Sequence, residues 1–141
     1  MMIRLVVILL ACLTALSAVA DPAVLGPVNR LRVEQRLPPL RYAPRLEAAA
    51  LGHAIDMAER RYFAHEGRDG STLGDRVSAQ GYRWCFAAEN IAKGQKSLSE
   101  VIQSWADSPG HYANMIRREV SEIGVARGPG HIWVMVLAAP C

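Results

Sequence analysis

The stretch Trp105-Ala106-Asp107-Ser108-Pro109-Gly110-His111-Tyr112-Ala113-Asn114-Met115 organises the reading of this chain. Pro109 can open a helix, because its missing N–H would have gone unpaired in the first turn anyway. His111 then lies in that first turn. The partial positive charge of a helix N-terminus disfavours an imidazolium, which biases a histidine there toward the neutral form able to accept a proton or ligate a metal. His65, Asp75 and Glu89 are the candidate polar partners of His111, and they are so distant in sequence that only the fold can gather them.

Outward from this stretch, Ser97-Leu98-Ser99-Glu100 has the spacing of a capping box, and it opens a helix with the apolar stripe Leu98, Val101, Ile102 and Trp105. On the other side, Ile123 to Ala126 reads as a strand, Gly128-Pro129-Gly130 as a turn, and His131 to Ala138 as an apolar strand returning antiparallel. Nearer the start, Leu25, Val28 and Leu31 recur at helical spacing from about Val24 to Arg36, and Pro38-Pro39 stops that helix. A second helix runs from near Pro44 to about Arg61, with Leu46, Ala49, Ala50, His53, Ala54 and Met57 on one face. The turn-rich segment Glu66 to Ser71 follows, and Thr72 to Asp75 caps a short helix from about Leu73 to Gln80 that closes at Gly81. Tyr82 to Ala88 then reads as a strand leading into Glu89-Asn90-Ile91. Helices at both ends with a small antiparallel sheet among them predict an α+β domain.

The chain has 141 residues and a formal charge of +3. Its first twenty residues differ in kind from the rest: Arg4 is a short basic start, Leu5 to Leu16 an apolar run, and Ala18-Val19-Ala20 a small-x-small cleavage site, which together read as an export signal. The run is too short to span a bilayer. A lipoprotein-type box at Leu9-Leu10-Ala11-Cys12, leaving Cys12 lipidated, is the alternative. Residues 21–141 form one domain of about 120 residues, enough to bury roughly two-thirds of its unfolded surface and to behave as a monomer. Loss of the leader removes Arg4 and leaves a nearly neutral protein. Its clustered arginines (Arg30, Arg32, Arg36; Arg60, Arg61; Arg117, Arg118) are interleaved with acids like a solvated helix face, so nucleic acid is not an expected partner. Cleavage also leaves Cys85 and Cys141 as an even pair, which in an oxidising compartment is most simply a disulfide stabilising by roughly 4 kcal/mol in the chain-entropy model. Two free thiols are the alternative, though no C-x-x-C spacing supports redox chemistry.

Four pieces together resemble one family: AIDMAERRYFAH (Ala54 to His65), AENIA (Ala88 to Ala92), WADSPGHYAN (Trp105 to Asn114), and EIGVA followed by the Trp133 strand. They are similar to the CAP superfamily, or SCP domain, of cysteine-rich secretory, antigen-5 and pathogenesis-related proteins. The resemblance implies a three-layer α-β-α sandwich whose cleft holds two histidines and two acids. Carried over by motif, these are His65, His111, Glu89 and Asp75, with Asn114 as a cleft neighbour. Many relatives have Glu where this chain has Asp75, and Gly where it has Ala88.

Each candidate also has a plainer role. His65 can end a helix, Asp75 can cap one, Glu89 can be a hydrogen-bonded structural acid, and Asn114 can bond its own turn. His53 reads as a core histidine, His131 as solvated, and Trp105 and Trp133 as core aromatics. The resemblance implies that His65 and His111 ligate zinc or another divalent cation weakly, since two imidazoles make an open site. Three functions follow as expectations: a non-catalytic binding module for a metal and a small polar or peptide ligand, a metal-assisted hydrolase with Glu89 as base, and a lipid or sterol binder using apolar residues such as Leu25 and Leu31.

Overall fold

A computed structural model describes residues 22–141. The export signal and Cys12 lie outside the described residues. Five helices and four strands follow one another as α1 (Leu25–Glu34), β1 (Arg41–Tyr42), α2 (Pro44–Glu59), α3 (Leu73–Ala79), β2 (Trp84–Lys93), α4 (Leu98–Ala106), α5 (Pro109–Met115), β3 (Glu122–Gly128) and β4 (Ile132–Pro140). The sheet order is β1-β3-β4-β2. β4 pairs antiparallel with both neighbours, whereas β1 pairs parallel with β3 through Arg41 and Tyr42. The sheet is therefore mixed rather than wholly antiparallel. Two residues between Pro39 and Pro44 are too few to carry a periodic signal, which is why β1 escapes sequence reading.

The three layers follow from the alternation of strand side chains. Along β4, Ile132, Val134, Val136 and Ala138 join a core with α2 and α3, while Trp133, Met135 and Leu137 join a second core with α1, α4 and α5. Covered on both faces, β4 has no need of polar alternation and reads as a continuous apolar run. β2 extends to Lys93, well past Ala88, because Glu89 and Asn90 find polar partners on the two faces and do not break the strand. The expected core face of α2 is the buried one in full, from Leu46 to Met57, His53 included.

α2 lies unusually close to β3. A Cβ on Gly124 would come within 2.1 Å of the Glu47 backbone nitrogen, and one on Gly128 within 2.9 Å of Ala54. These positions share one face of β3 with Ala126, so they form a shallow channel for the helix backbone. α3 closes on Gly81 at φ 74, with Tyr82 N–H reaching the Val77 carbonyl, as expected of a helix ending in a left-handed residue.

One expectation needs correction. Arg32 is not on a solvated face: it is 1% exposed. It donates to the carbonyls of Pro38, Met115, Arg117 and Val120 at 2.8–3.2 Å, so its buried guanidinium is satisfied by backbone dipoles that tie α1 to the end of α5. Cys85 and Cys141 are bonded, their Cα atoms 4.8 Å apart. Cys85 falls at a register break between Trp84 and Phe86.

The glycine geometry predicts opposite outcomes for two alanine substitutions. Gly124→Ala drives a methyl into the α2 backbone and is expected to lower unfolding free energy by about 2 kcal/mol or more. Gly52→Ala places a methyl where nothing lies within 4 Å, and is expected to raise it by up to about 1 kcal/mol through helix propensity. Urea denaturation of the two variants measures both.

Candidate functional site

Glu89 is the hub of the site. Its side chain is only 3% exposed, yet both carboxylate oxygens are held. His65 Nδ1 lies 2.8 Å from Oε1, and Arg76 Nη2 donates to Oε2 at 2.9 Å. Arg76 comes from α3 and is itself anchored by donation to the Ser71 carbonyl at 3.0 Å. His65 comes from the segment after α2, with its side chain 60% exposed. Because the hydrogen-bonded carboxylate is an acceptor, Nδ1 carries the proton and Nε2 is left free toward solvent.

The next residue, Asn90, points to the opposite face of β2. Its Nδ2 donates to the His111 carbonyl at 3.0 Å, and its Oδ1 accepts from Asn114 Nδ2 at 2.9 Å. Asn114 also reaches the Glu89 backbone carbonyl at 3.3 Å. The His111 ring is set by Ser108, whose Oγ lies 2.9 Å from Nδ1. Ser108 is the N-cap residue of α5, but its hydroxyl makes no cap bond to the helix backbone, so it is available to the imidazole.

β2 is the outermost strand, so α3 and the post-α2 segment approach it from one face and α5 from the other. His65 reaches this strand through the Glu89 carboxylate, and the His111 carbonyl reaches it through the Asn90 side chain. The electrostatic surroundings of the two rings differ in sign. The hydrogen bond to Glu89 holds His65 above its ordinary value, whereas burial, then the nearby His65, pushes His111 below it. His53, buried and bonded through Nε2 to the Ala64 carbonyl at 2.8 Å, is also pushed down, chiefly by burial.

Asp75 caps α3 through one oxygen. Its Oδ2 accepts from both the backbone N–H and the hydroxyl of Thr72, while Thr72 caps Asp75 N–H, a complete capping box. It lines a neighbouring hollow of about 380 Å³ together with His53, Asp56, Asp69 and Arg76. The hollow around His65 and Glu89, about 390 Å³, contains Thr72 but not Asp75. Among the described residues no three His, Cys, Asp or Glu side chains are placed to hold a metal ion together. Sequence reasoning missed Arg76 and Asn90 as site residues. Strand alternation could have found Asn90; the only sequence signal for Arg76 is its position one turn into a capped helix.

Comparison with known proteins bears on what this arrangement is. The model of the cysteine-rich secretory protein family, CAP, matches residues 25–136. The Bacillus subtilis (strain 168) protein YkwD is 35% identical over 106 residues, covering 74% of this chain but 41% of its own length. An extracellular Bacillus anthracis protein containing an SCP domain superposes with TM-score 0.78 at 27% identity, over 82% of this chain and 38% of that one. An outer surface protein of Borrelia burgdorferi gives 0.70 at 26% identity, over 81% and 87%. The chain thus spans less than half of the two Bacillus proteins.

Proton NMR of the imidazoles checks the opposed shifts. His65 is expected to titrate above about 6.5, and His53 and His111 below it. His65 contributes stability that is full below about pH 6.5 and lost as pH rises through its raised value. His53 and His111 contribute stability that is full at higher pH and lost as pH falls below about 6.5, where the unfolded chain takes the proton first.

Proposed function

This chain belongs to the cysteine-rich secretory protein (CAP) family, and from that premise we propose that it is an exported, non-catalytic binding module. Its edge-strand cleft holds a divalent cation weakly through His65 and His111 and takes a small polar or peptide ligand beside it. The supporting observation is the saturation of Glu89: with one oxygen on His65 and the other on Arg76, it orients an imidazole and is not free to act as a base. A hydrolase using Glu89 would first have to break one of those contacts.

The donor set fits a weakly held cation. His65 presents Nε2 with a carboxylate behind it, the arrangement that fixes tautomer and raises basicity in metal-ligating histidines. His111 offers the same atom when its Nδ1–H donates to Ser108 Oγ. Two nitrogens suit Zn²⁺ but leave the remaining positions to water or ligand, which favours exchange over permanent occupancy. A cation there would supply a Lewis-acidic anchor for a ligand carboxylate or carbonyl. Arg76, Asn90 and Asn114 do the positioning: Arg76 fixes Glu89, and the two asparagines fix α5 and hence His111.

Export is supported by the leader-like first twenty residues and by the extracellular and outer-surface descriptions of the two structural relatives. No helix among the described residues is long and apolar enough to cross a membrane. The lipid reading draws little support from α1, where Leu25 and Leu31 are half-buried and pack on the second core.

Calorimetric zinc titration at pH 7.5 tests the proposal. His65→Ala and His111→Ala should each weaken binding at least tenfold, and Glu89→Gln by roughly 10–100-fold. Affinity should climb with pH through a midpoint above about 6.5, as His65 loses its proton. Affinities unchanged by both histidine substitutions would remove the metal reading.

A further inference from the structure

An open hollow of about 450 Å³ sits where the end of α2 meets the β3–β4 connection, and it shares no lining residue with the hollow around His65. Its floor is apolar: Met57 is fully buried and Ile132 is 2% exposed. Its wall is aromatic, from Tyr62 and from Phe63, a ring left 46% exposed. Its charged residues are Arg61 and Lys93, and no acidic side chain lines it.

Those two cations set the charge of the hollow. Among the described residues Arg61 and Lys93, like most of the chain's cations, form no ion pair, and both are left to face the hollow without an acidic neighbour in its lining. Arg68 adds a third positive group, its guanidinium 5.5 Å from the centre of the Tyr62 ring. Arg61 is held in place by the end of α2. Tyr62 N–H closes on the Met57 carbonyl at 3.1 Å, which puts Arg61 in the left-handed region at φ 54. From that position Arg61 borders the hollow.

We infer that this hollow is a second binding site, for a compact aromatic anion whose ring stacks on Phe63 above Met57 and whose carboxylate or phosphate pairs with Arg61 and Lys93. Ring-on-ring contact with the exposed Phe63 favours a flat body. The broad, open shape suits a compact group better than a long chain. Two cations and no acid in the lining favour a negative head, and a cationic or metal ligand would be repelled. Nothing in this assignment depends on what His65 and His111 bind.

Naphthalene-2-carboxylate is a suitable probe for the leader-free chain, with 2-naphthylmethanol as its neutral counterpart and octanoate as a chain-like anion. Binding is followed by amide chemical shifts. The carboxylate is expected to move the amides of Phe63, Gly130 and Ile132, and to bind at least tenfold more tightly than the alcohol and more tightly than octanoate. Lys93→Glu, and Arg61→Gly, which the backbone at φ 54 accepts, should each weaken it at least fivefold with thermal stability retained. Equal binding of acid and alcohol, tighter binding of octanoate, shifts centred on His65 and His111, or wild-type affinity in both charge variants would each overturn the inference.

Discussion

The free edge of β2 has to be covered, and the site is the form that covering takes. An outermost strand presents carbonyl and amide groups without a neighbouring strand, and left bare they would template aggregation. Here α4 and α5 supply the partners: Trp105 Nε1 donates to the Ile91 carbonyl at 3.3 Å and Asn114 Nδ2 to the Glu89 carbonyl at 3.3 Å. The α5 that satisfies the backbone also carries His111. The pleat then turns Glu89 toward α3 and Asn90 toward α5, so one dipeptide links both helical layers. Packing α2 against the two glycines of β3 completes the arrangement from the other side, because the segment leaving α2 brings His65 to the same edge.

A buried carboxylate sets the electrostatics there. Removing Glu89 from water is costly unless both oxygens are partnered, and His65 and Arg76 meet that need. One consequence is a fixed His65 tautomer. Another is an asymmetric pair of imidazoles: His65 favours its proton because Glu89 accepts from it, and His111 disfavours one because it is partly buried and faces His65.

The sequence made legible whatever rests on local periodicity or local capping. The buried face of α2, the capping boxes at Thr72 and Ser97, the apolar β4 run and the Cys85–Cys141 bond all have signals within a few residues or in a simple count. His65, Glu89 and His111 were reachable through motif resemblance. What escaped depends on contacts between distant segments. Arg32 looks like one more surface arginine until four carbonyls, three of them more than eighty residues away, close on it. Arg76 belongs to the site because α3 docks beside β2, not because of its neighbours in sequence. Asp75 shows the converse: the family pattern assigns it to the cleft, while the shorter side chain and the adjacent Thr72 place both its hydrogen bonds in the cap.

We propose that imidazoles from opposite faces of the sheet, His65 and His111, each offer Nε2 to one ion at the edge of β2. A crystal soaked in zinc and measured across the zinc absorption edge tests it most directly. One partly occupied anomalous peak is expected at about 2.0–2.1 Å from Nε2 of both His65 and His111, with Glu89 still on His65 and Arg76. Zinc bound at Asp75, or at only one of the two histidines with the other ring turned away, would contradict it.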